Sequence, residues 1–250
     1  MKRILAIASG KGGVGKTWTS ISLSHALARL NRRVLLVDCD VGLANVDVQL
    51  GLRPSVDLQH AYLGNVAFSQ VIKRLDSLGF DVVSGRAEAN YLHGLDASIV
   101  AWMLGELDHI ASAYDFVILD LPTGLELGIR ELMLHADYPI IVTTGEPTAM
   151  TDAYALIKAM RRTNKLRVPG LICNFAEHEQ AGLETLAGLV RVCERFLDVK
   201  PNQLGVIRRD RRVPEAISRQ TALLECYPRS DAARDISAMA KTFLTWKAGR

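Results

Sequence analysis

A glycine-rich segment near the N-terminus limits the possible folds more than any other part of the chain. Residues 9–17 read SGKGGVGKT and directly follow the apolar run at residues 4–8. That run has the length and composition of a buried parallel strand, and the residues after Thr17 have a helical pattern. The glycines therefore fall on a strand-to-helix turn, where backbone N–H groups can surround a phosphate. The segment predicts a phosphate-binding loop.

Each residue type in this loop suits a nucleotide and a metal ion. Lys16 can reach the β- and γ-phosphates, and the Thr17 hydroxyl can occupy one position on a Mg²⁺ that bridges them. We therefore expect ATP and Mg²⁺ as cofactors. The residues expected to contact the nucleotide here are Gly12, Gly13, Val14, Gly15, Lys16, Thr17 and Trp18.

A second lysine stands early in the same loop. Lys11 cannot easily share the phosphates with Lys16, because two like charges would be crowded together. We therefore expect Lys11 to point away from the local phosphates, toward a second molecule.

The KGGVGKT sequence at residues 11–17 resembles the signature of the MinD and ParA group of deviant phosphate-loop ATPases. The resemblance implies a nucleotide-sandwich dimer in which Lys11 reaches the ATP of the partner subunit, so that Lys11 joins Lys16 as a catalytic residue. Trp18 departs from the family pattern, which usually has Thr or Ser there. Residues 38–51 and 143–158 are most similar to the flagellar-number regulators called FlhG or FleN.

Acidic residues follow two of the expected strands. Asp38 and Asp40 follow the apolar run at residues 34–37, and Asp120 ends the run at residues 116–119. Carboxylates beside a phosphate site would repel ATP unless a cation offset their negative charge, and Mg²⁺ can do so. We predict Thr17 and Asp120 around the metal, and the resemblance implies that Asp38 joins them. The resemblance implies that Asp40 positions the attacking water; the alternative for Asp40 is a helix cap or a solvated loop acid.

Alternating strands and helices predict a doubly wound, mostly parallel α/β sheet with helices on both faces. We expect a single domain over residues 1–250, with a C-terminal helix and short tail at 231–250. Further strands are expected at residues 80–83, 140–144, 170–174 and 203–207, and a helix at 97–112. Weak helical patterns cover residues 57–63 and 67–75. Residues 121–126 resemble a second switch loop, whose Gly124 could offer its N–H to a γ-phosphate.

Composition sets only broad limits on the partners and the location of the protein. The formal charge of +3 and pI near 8.7 are mildly basic, which permits an acidic partner without demanding nucleic acid. The four cysteines are scattered without a C-x-x-C pair, and the first strand begins without a preceding signal peptide. No apolar run approaches the roughly 20 residues of a membrane span. We therefore expect a cytoplasmic protein, with a peripheral position at the inner membrane or cell pole as an option.

Other segments suggest contacts with ligand and partners. The resemblance implies that Asn174 hydrogen-bonds the adenine and that a protein partner binds the dimer surface near Asp152; a favourable charge in the first turn of a helix is the alternative for Asp152. The amphipathic C-terminal helix is either the last packed helix or a weak membrane anchor, and we favour packing. Two basic clusters are either solvated surface or sites for an anionic partner: Arg161, Arg162, Lys165 and Arg167, and Arg208, Arg209, Arg211 and Arg212.

These features favour an ATP-dependent dimerisation switch with slow Mg²⁺-dependent ATP hydrolysis. Its expected role is to control the number or placement of a cellular structure, with flagella favoured by resemblance. A MinD-type division-site regulator and a ParA-type ATPase that partitions DNA or cargo are the alternatives, and DNA binding is not favoured. An iron–sulfur reductase on the same fold would need paired cysteines, and residues 84–112 and 121–135 contain none.

Overall fold

The computed structural model describes residues 3–40, 45–85, 95–162 and 167–245. Their strands form one eight-stranded sheet in the order β3-β4-β2-β5-β1-β6-β7-β8. All neighbouring strands are parallel except β3 and β4, which pair antiparallel at one edge. The strands are β1 (Ile4–Ser9), β2 (Val34–Asp38), β3 (Ile72–Leu75), β4 (Phe80–Val83), β5 (Phe116–Thr123), β6 (Tyr138–Thr143), β7 (Gly170–Ala176) and β8 (Asn202–Arg208).

Helices cover both faces of the sheet. Alternate residues of β1 point to opposite faces, so that Ile4 and Ala6 lie in one apolar core while Leu5 and Ile7 lie in the other. The helices are α1 (Lys16–Ala28), α2 (Val46–Leu50), α3 (Leu58–Tyr62), α4 (Ala97–Ile110), α5 (Leu127–His135), α6 (Pro147–Arg161), α7 (Glu179–Leu197), α8 (Arg212–Ser218), α9 (Leu223–Cys226) and α10 (Asp231–Thr245). Helices α4 to α7 pack on one face, and α1 and α8 to α10 on the other. The doubly wound α/β prediction is confirmed.

Two local predictions were wrong. Residues 67–75 do not form a helix: a single 3₁₀ turn at Phe68–Val71 leads into strand β3, which pairs with β4. The segment that resembles a second switch begins as strand rather than loop, because β5 continues through Thr123. At its end the Gly124 N–H donates to the Ser9 carbonyl at 3.1 Å, so that in this structure the group expected to meet a γ-phosphate is already bonded.

The C-terminal helix α10 packs against α1 and β8. Ile236, Met239 and Phe243 on its apolar face are at most 3% exposed, which confirms that α10 is the last packed helix of the fold. Arg3 fixes the end of the helix, because its guanidinium donates to the Phe243 carbonyl and lies 5.3 Å from the ring centre of Phe116. In the described part of the chain, no helix is long and apolar enough to cross a membrane. The predicted tail at residues 246–250 lies outside the described residues.

Candidate functional site

The predicted phosphate loop lies between β1 and α1, as the sequence indicates. Gly13 and Gly15 have φ angles of +76° and +87°, in the left-handed region that favours glycine. The space beside Gly12 and Gly13 is open, since a Cβ built on either residue would meet no atom within 4 Å. Helix α1 starts at Lys16, directly after Gly15. The loop and the first turn of α1 therefore form a cradle of backbone donors that fits an anionic phosphate chain.

Lys16 extends across the loop to the end of β5. Its Nζ donates to the Thr123 Oγ1 at 2.6 Å. Burial lowers the pKa of Lys16, although the nearby charges of Asp120, Asp40 and Asp38 act in the opposite direction. Lys16 is therefore a partly desolvated cation that is directed at the cradle. Thr123 was missed as a contact of this lysine, and its place shortly after the apolar run that ends in Asp120 was the available signal.

Asp120 and Asp38 lie next to each other on adjacent strands, because β2 and β5 pair in that register. Asp120 is 2% exposed and accepts hydrogen bonds from the hydroxyl groups of Ser20, at 2.9 Å, and Thr17. Burial is the main reason why its pKa rises to about 6. Two buried carboxylates beside a hydroxyl group provide the hard oxygen atoms that Mg²⁺ prefers. The three predicted metal residues are therefore brought together, and they fit the ion.

Asp38 also organises the backbone around it. Its carboxylate accepts hydrogen bonds from the N–H groups of Asp40, Asn45 and Val46 at 3.0–3.1 Å. These bonds hold the start of α2, which is only five residues long. Burial raises the pKa of Asp38 well above its usual value, and the neighbouring charge of Asp120 adds to this effect. The structural role of Asp38 was missed from the sequence.

Asp40 is the most accessible of the three carboxylates. It is half-buried, and burial raises its pKa while the positive charge of Lys16 opposes the change. It stands at the edge of the cradle, just after the end of β2. Residues 41–44 of the segment that resembles a first switch lie outside the described residues. The predicted role of Asp40 in orienting a water remains a prediction.

Lys11 points away from the local phosphate cradle. Its Nζ lies 2.5 Å from Glu146 Oε2 and 2.9 Å from Thr148 Oγ1, both at the start of α6. The hydrogen bond from Lys11, together with the lysine charge, lowers the pKa of Glu146. In a single chain Lys11 therefore links the loop to α6. Its predicted reach to a partner subunit remains a prediction, and Glu146 as its contact was not foreseen.

Asn174 lies beneath the loop at the end of β7. Its Nδ2 donates to the Val14 carbonyl at 2.8 Å, while its Oδ1 accepts from the N–H of Phe175 at 2.9 Å. It is 1% exposed, so in this structure it supports the loop, and its predicted contact with adenine remains a prediction. Next to it is an apolar cavity of about 610 Å³. The cavity is lined by Phe175, Arg209, Asp210, Arg211, Val213, Pro214 and Ile217.

Packing explains the positions of Trp18, which departs from the family pattern, and of Arg208. Trp18 is 5% exposed and belongs to the core beneath α1, so that only its backbone N–H is left to face a phosphate. Arg208 points to α10, where its guanidinium lies 2.7 Å from Asp235 and 3.0 Å from Asp231. Arg212 likewise pairs with Glu215, at 2.6 Å. Two of the four arginines of the second basic cluster, Arg208 and Arg212, are therefore neutralised within the chain.

The strand, the glycine cradle, the half-buried lysine and the paired carboxylates define a phosphate-loop nucleotide-binding protein of the α/β class. A family model described as an AAA domain matches residues 2–171. The chain is 35% identical over 244 residues to the antiactivator FleN of Pseudomonas aeruginosa, an alignment that covers 98% of this chain and 87% of FleN. It therefore belongs to the MinD/ParA family of ATPases, within which it resembles FleN.

Relatives with a different named role are also similar. The septum site-determining protein MinD of Bacillus subtilis is 35% identical over 181 residues, which cover 70% of this chain and 65% of MinD. Among solved structures, Pyrococcus horikoshii MinD complexed with Mg-ADP has a TM-score of 0.80 and 24% identity, with 97% of this chain and 96% of that chain covered. This second match supports the fold alone.

Proposed function

We propose that this protein is a Mg²⁺-dependent ATPase whose nucleotide state controls a homodimer, and that the dimer regulates the number or placement of flagella. The flagellar role is supported by FleN, which aligns with nearly the whole chain, whereas the alignment with B. subtilis MinD is shorter. We further propose slow turnover and a cytoplasmic location, with peripheral contact at the inner membrane or cell pole.

The observation that carries the ATPase proposal is the convergence of Lys16, Thr17 and Asp120 on the glycine cradle. Lys16 crosses the cradle at 2.6 Å from Thr123, and the Thr17 hydroxyl bonds to Asp120. When bound, Mg²⁺ would supply positive charge to the β- and γ-phosphate oxygens. Thr17 would hold the ion directly, and Asp120 and Asp38 would hold its water ligands. P. horikoshii MinD, which has the same fold, is itself complexed with Mg-ADP.

The protein groups then have separate roles in hydrolysis. Lys16 and the backbone N–H groups bind the phosphates and stabilise the charge that builds up on them. Asp40 accepts a hydrogen bond from the attacking water and orients it in line with the bond that breaks. The apolar cavity beside Asn174 is large enough for a purine base, and Phe175 and Pro214 provide flat surfaces for it.

The proposed dimer depends on Lys11. In one chain its cation is paired with Glu146, which leaves it outside the local phosphate site. Its side chain is 35% exposed, so that exchange of Glu146 for a phosphate on a partner subunit requires no change in the core. A loop lysine that binds the nucleotide of a second subunit makes dimerisation depend on ATP.

Two lysine substitutions test the proposal. Lys16→Ala removes the phosphate contact, so we expect loss of ATP binding in equilibrium dialysis. Lys11→Ala leaves the local cradle intact, so we expect monomer binding within about twofold of the wild type but no ATP-dependent dimer in light scattering. Normal dimerisation and hydrolysis by Lys11→Ala would refute the cross-subunit role.

Division-site regulation is the second candidate, because B. subtilis MinD reaches the same 35% identity. Deletion of the gene in its own host separates the two roles. Changed flagellar number with normal septa supports the flagellar proposal, whereas minicells with normal flagella support the septal one. A ParA-type role predicts instead that the ATP-bound protein binds duplex DNA with steep salt dependence.

A further inference from the structure

The hydroxyl group of Thr123 lies beside the second lysine of the phosphate loop. Strand β5 ends at Thr123 and pairs with β1 in a register that places Thr123 opposite Ser9, the last residue of β1. The pairing is reinforced just beyond the strand, where the Gly124 N–H donates to the Ser9 carbonyl at 3.1 Å. The backbone of the central sheet therefore fixes the position of Thr123 next to the cradle.

Within the described part of the chain, Thr123 is the sole hydrogen-bond partner of the Lys16 ammonium group. Lys16 Nζ donates to Thr123 Oγ1 at 2.6 Å. Lys16 forms no ion pair with any carboxylate of the described residues. The charges of Asp120, Asp40 and Asp38 are nevertheless close enough to act on it. The ammonium group is therefore held by a neutral hydroxyl group rather than by one of the three carboxylates.

A neutral partner leaves most of the hydrogen-bonding capacity of the lysine unused. An ammonium group has several N–H donors, and only one of them is bonded to Thr123. The others have no partner among the described residues and can bind phosphate oxygens. A carboxylate in place of the hydroxyl group would attract the ammonium group more strongly, and a phosphate would then have to displace it. The Thr123 hydroxyl group is therefore suited to hold Lys16 in place without competing with a nucleotide.

We propose that Thr123 is a positioning residue for Lys16, and that its hydroxyl group holds the lysine at the phosphate cradle before ATP binds. The inference rests on the proposed binding of ATP to this cradle. Lysine has a flexible side chain, so holding it in advance lowers the entropy cost of binding. Without the hydroxyl group, Lys16 can turn toward the carboxylates of Asp40 and Asp120, which must release it before it binds a phosphate.

Two other roles for the Thr123 hydroxyl group fit the structure less well. As a ligand of Mg²⁺, its oxygen would face a metal ion while it accepts a hydrogen bond from a positively charged ammonium group, and the two cations would repel each other. As a purely structural contact, it would add little to the sheet, because backbone pairing and the Gly124 N–H already join β5 to β1. The remaining role is to act through Lys16.

Equilibrium dialysis of the intact chain with ATP tests the proposal. Thr123→Val keeps the shape of the side chain but removes the hydroxyl group, so we expect ATP affinity to fall by about tenfold, both in EDTA and with Mg²⁺. Thr123→Ser keeps the hydroxyl group and should bind ATP within about threefold of the wild type. Thr242→Val is the matched control: it makes the same change at an exposed position of α10 and should leave affinity within about twofold.

The outcomes separate this inference from the proposed function. Absence of ATP binding by the wild type would refute the proposed function, whereas wild-type binding with equal affinity of Thr123→Val would overturn only the role of Thr123. A loss seen only with Mg²⁺ would assign the hydroxyl group to the metal ion, and weak binding by Thr123→Ser would assign the effect to packing. Either result would also overturn the role of Thr123. Urea denaturation without nucleotide checks that Thr123→Val is folded, and Thr123→Ala replaces it if it is not.

Discussion

The three carboxylates of the site differ in what surrounds them, and this separates their roles. Asp38 and Asp120 are at most 2% exposed and are occupied by backbone N–H groups or hydroxyl groups. Asp40 is half-buried, and its carboxylate accepts no hydrogen bond from the described residues. A residue that orients water must itself reach water, so Asp40 fits that role best.

Asp40→Ala should therefore slow hydrolysis without removing ATP binding. We expect kcat to fall by about 100-fold, because the attacking water loses its hydrogen-bond partner. The ATP-bound dimer should accumulate on size-exclusion chromatography, since its separation depends on hydrolysis. Unchanged turnover would assign the water-positioning role to another residue.

His25 should make folding sensitive to acid. It is 5% exposed, its Nδ1 has no hydrogen-bond partner in the described residues, and burial lowers its pKa to about 4, with the Arg29 charge adding to the shift. The unfolded chain binds a proton near pH 6.5, before the folded chain does, so the contribution of neutral His25 is complete above that pH and is lost as pH falls toward 4.

The measurement compares the wild type with His25→Phe. Between pH 7 and pH 4.5, urea denaturation should show the wild type losing about 2 kcal/mol more unfolding free energy than the variant. Carboxylates titrate in both proteins, so their contribution cancels. Parallel pH profiles would show that His25 is protonated in the folded state as readily as in the unfolded chain.

At the residue scale, the functional side chains could be predicted from the sequence, but their contacts within the protein could not. Lys16, Thr17 and Asp120 are recognisable because the phosphate loop and the strand ends have distinctive patterns. Their contacts with Ser20 and Thr123 depend on the register between β1, β5 and α1, which a pattern of apolar residues does not record. The contact of Lys11 with Glu146 joins residues 135 positions apart and required the fold.

At the element scale, the phosphate loop is packed against α6. A Cβ built on Gly10 would lie 2.4 Å from the Asp152 carbonyl oxygen, far inside contact distance. The Lys11 contacts with Glu146 and Thr148 reach the same helix. Movement of the loop on binding nucleotide would therefore be transmitted to the helix that presents Asp152, near which the family resemblance predicts a partner.

Two glycine substitutions test this packing. Gly10→Ala should lower the unfolding free energy by about 1–3 kcal/mol, because the loop and α6 must separate to admit a methyl group. Gly12→Ala is the matched control: its Cβ meets no atom within 4 Å, so the change should stay within about 0.5 kcal/mol. Both are measured by urea denaturation without nucleotide. Equal stability of the two variants would mean that α6 and the loop are not tightly packed.

Elements with strong periodicity were predictable, and elements defined by context were not. The central strands are continuous apolar runs because helices cover both of their faces. Strand β3 lies at the edge of the sheet, and two of its four residues, Lys73 and Arg74, are exposed. Because it lacks a continuous apolar run, its sequence was interpreted as part of a weak helical pattern. Helix α5 follows a strand that continues three residues past Asp120. Because residues 121–126 were expected to form a loop, the start of α5 was not predicted.

At the scale of the whole molecule, the residues of the candidate site gather at one edge of the sheet. The carboxyl ends of the strands hold the loop, the carboxylates and the apolar cavity, as expected for a parallel sheet. Helix α6 connects this edge with the opposite one, since it contacts the loop at Glu146 and ends at Arg161.

Weak membrane binding follows from how the C-terminal helix is packed. The residues that would enter a lipid surface, Ile236, Met239 and Phe243, already face the core, and Arg3 fixes the helix end through the Phe243 carbonyl. Exposing that face would require α10 to leave α1 and β8, which would uncover a large part of one core.

Sedimentation with phosphatidylglycerol vesicles measures the outcome. Less than about a tenth of the protein should pellet, with or without ATP, because the apolar face needed for insertion is buried. Arg3→Ala serves as the comparison, because it removes the contacts that hold the end of α10. If the apolar face of α10 can bind lipid, more of this variant than of the wild type should pellet. Strong ATP-dependent pelleting of the wild type would contradict the prediction and would mean that α10 or the residues after it are released when nucleotide binds.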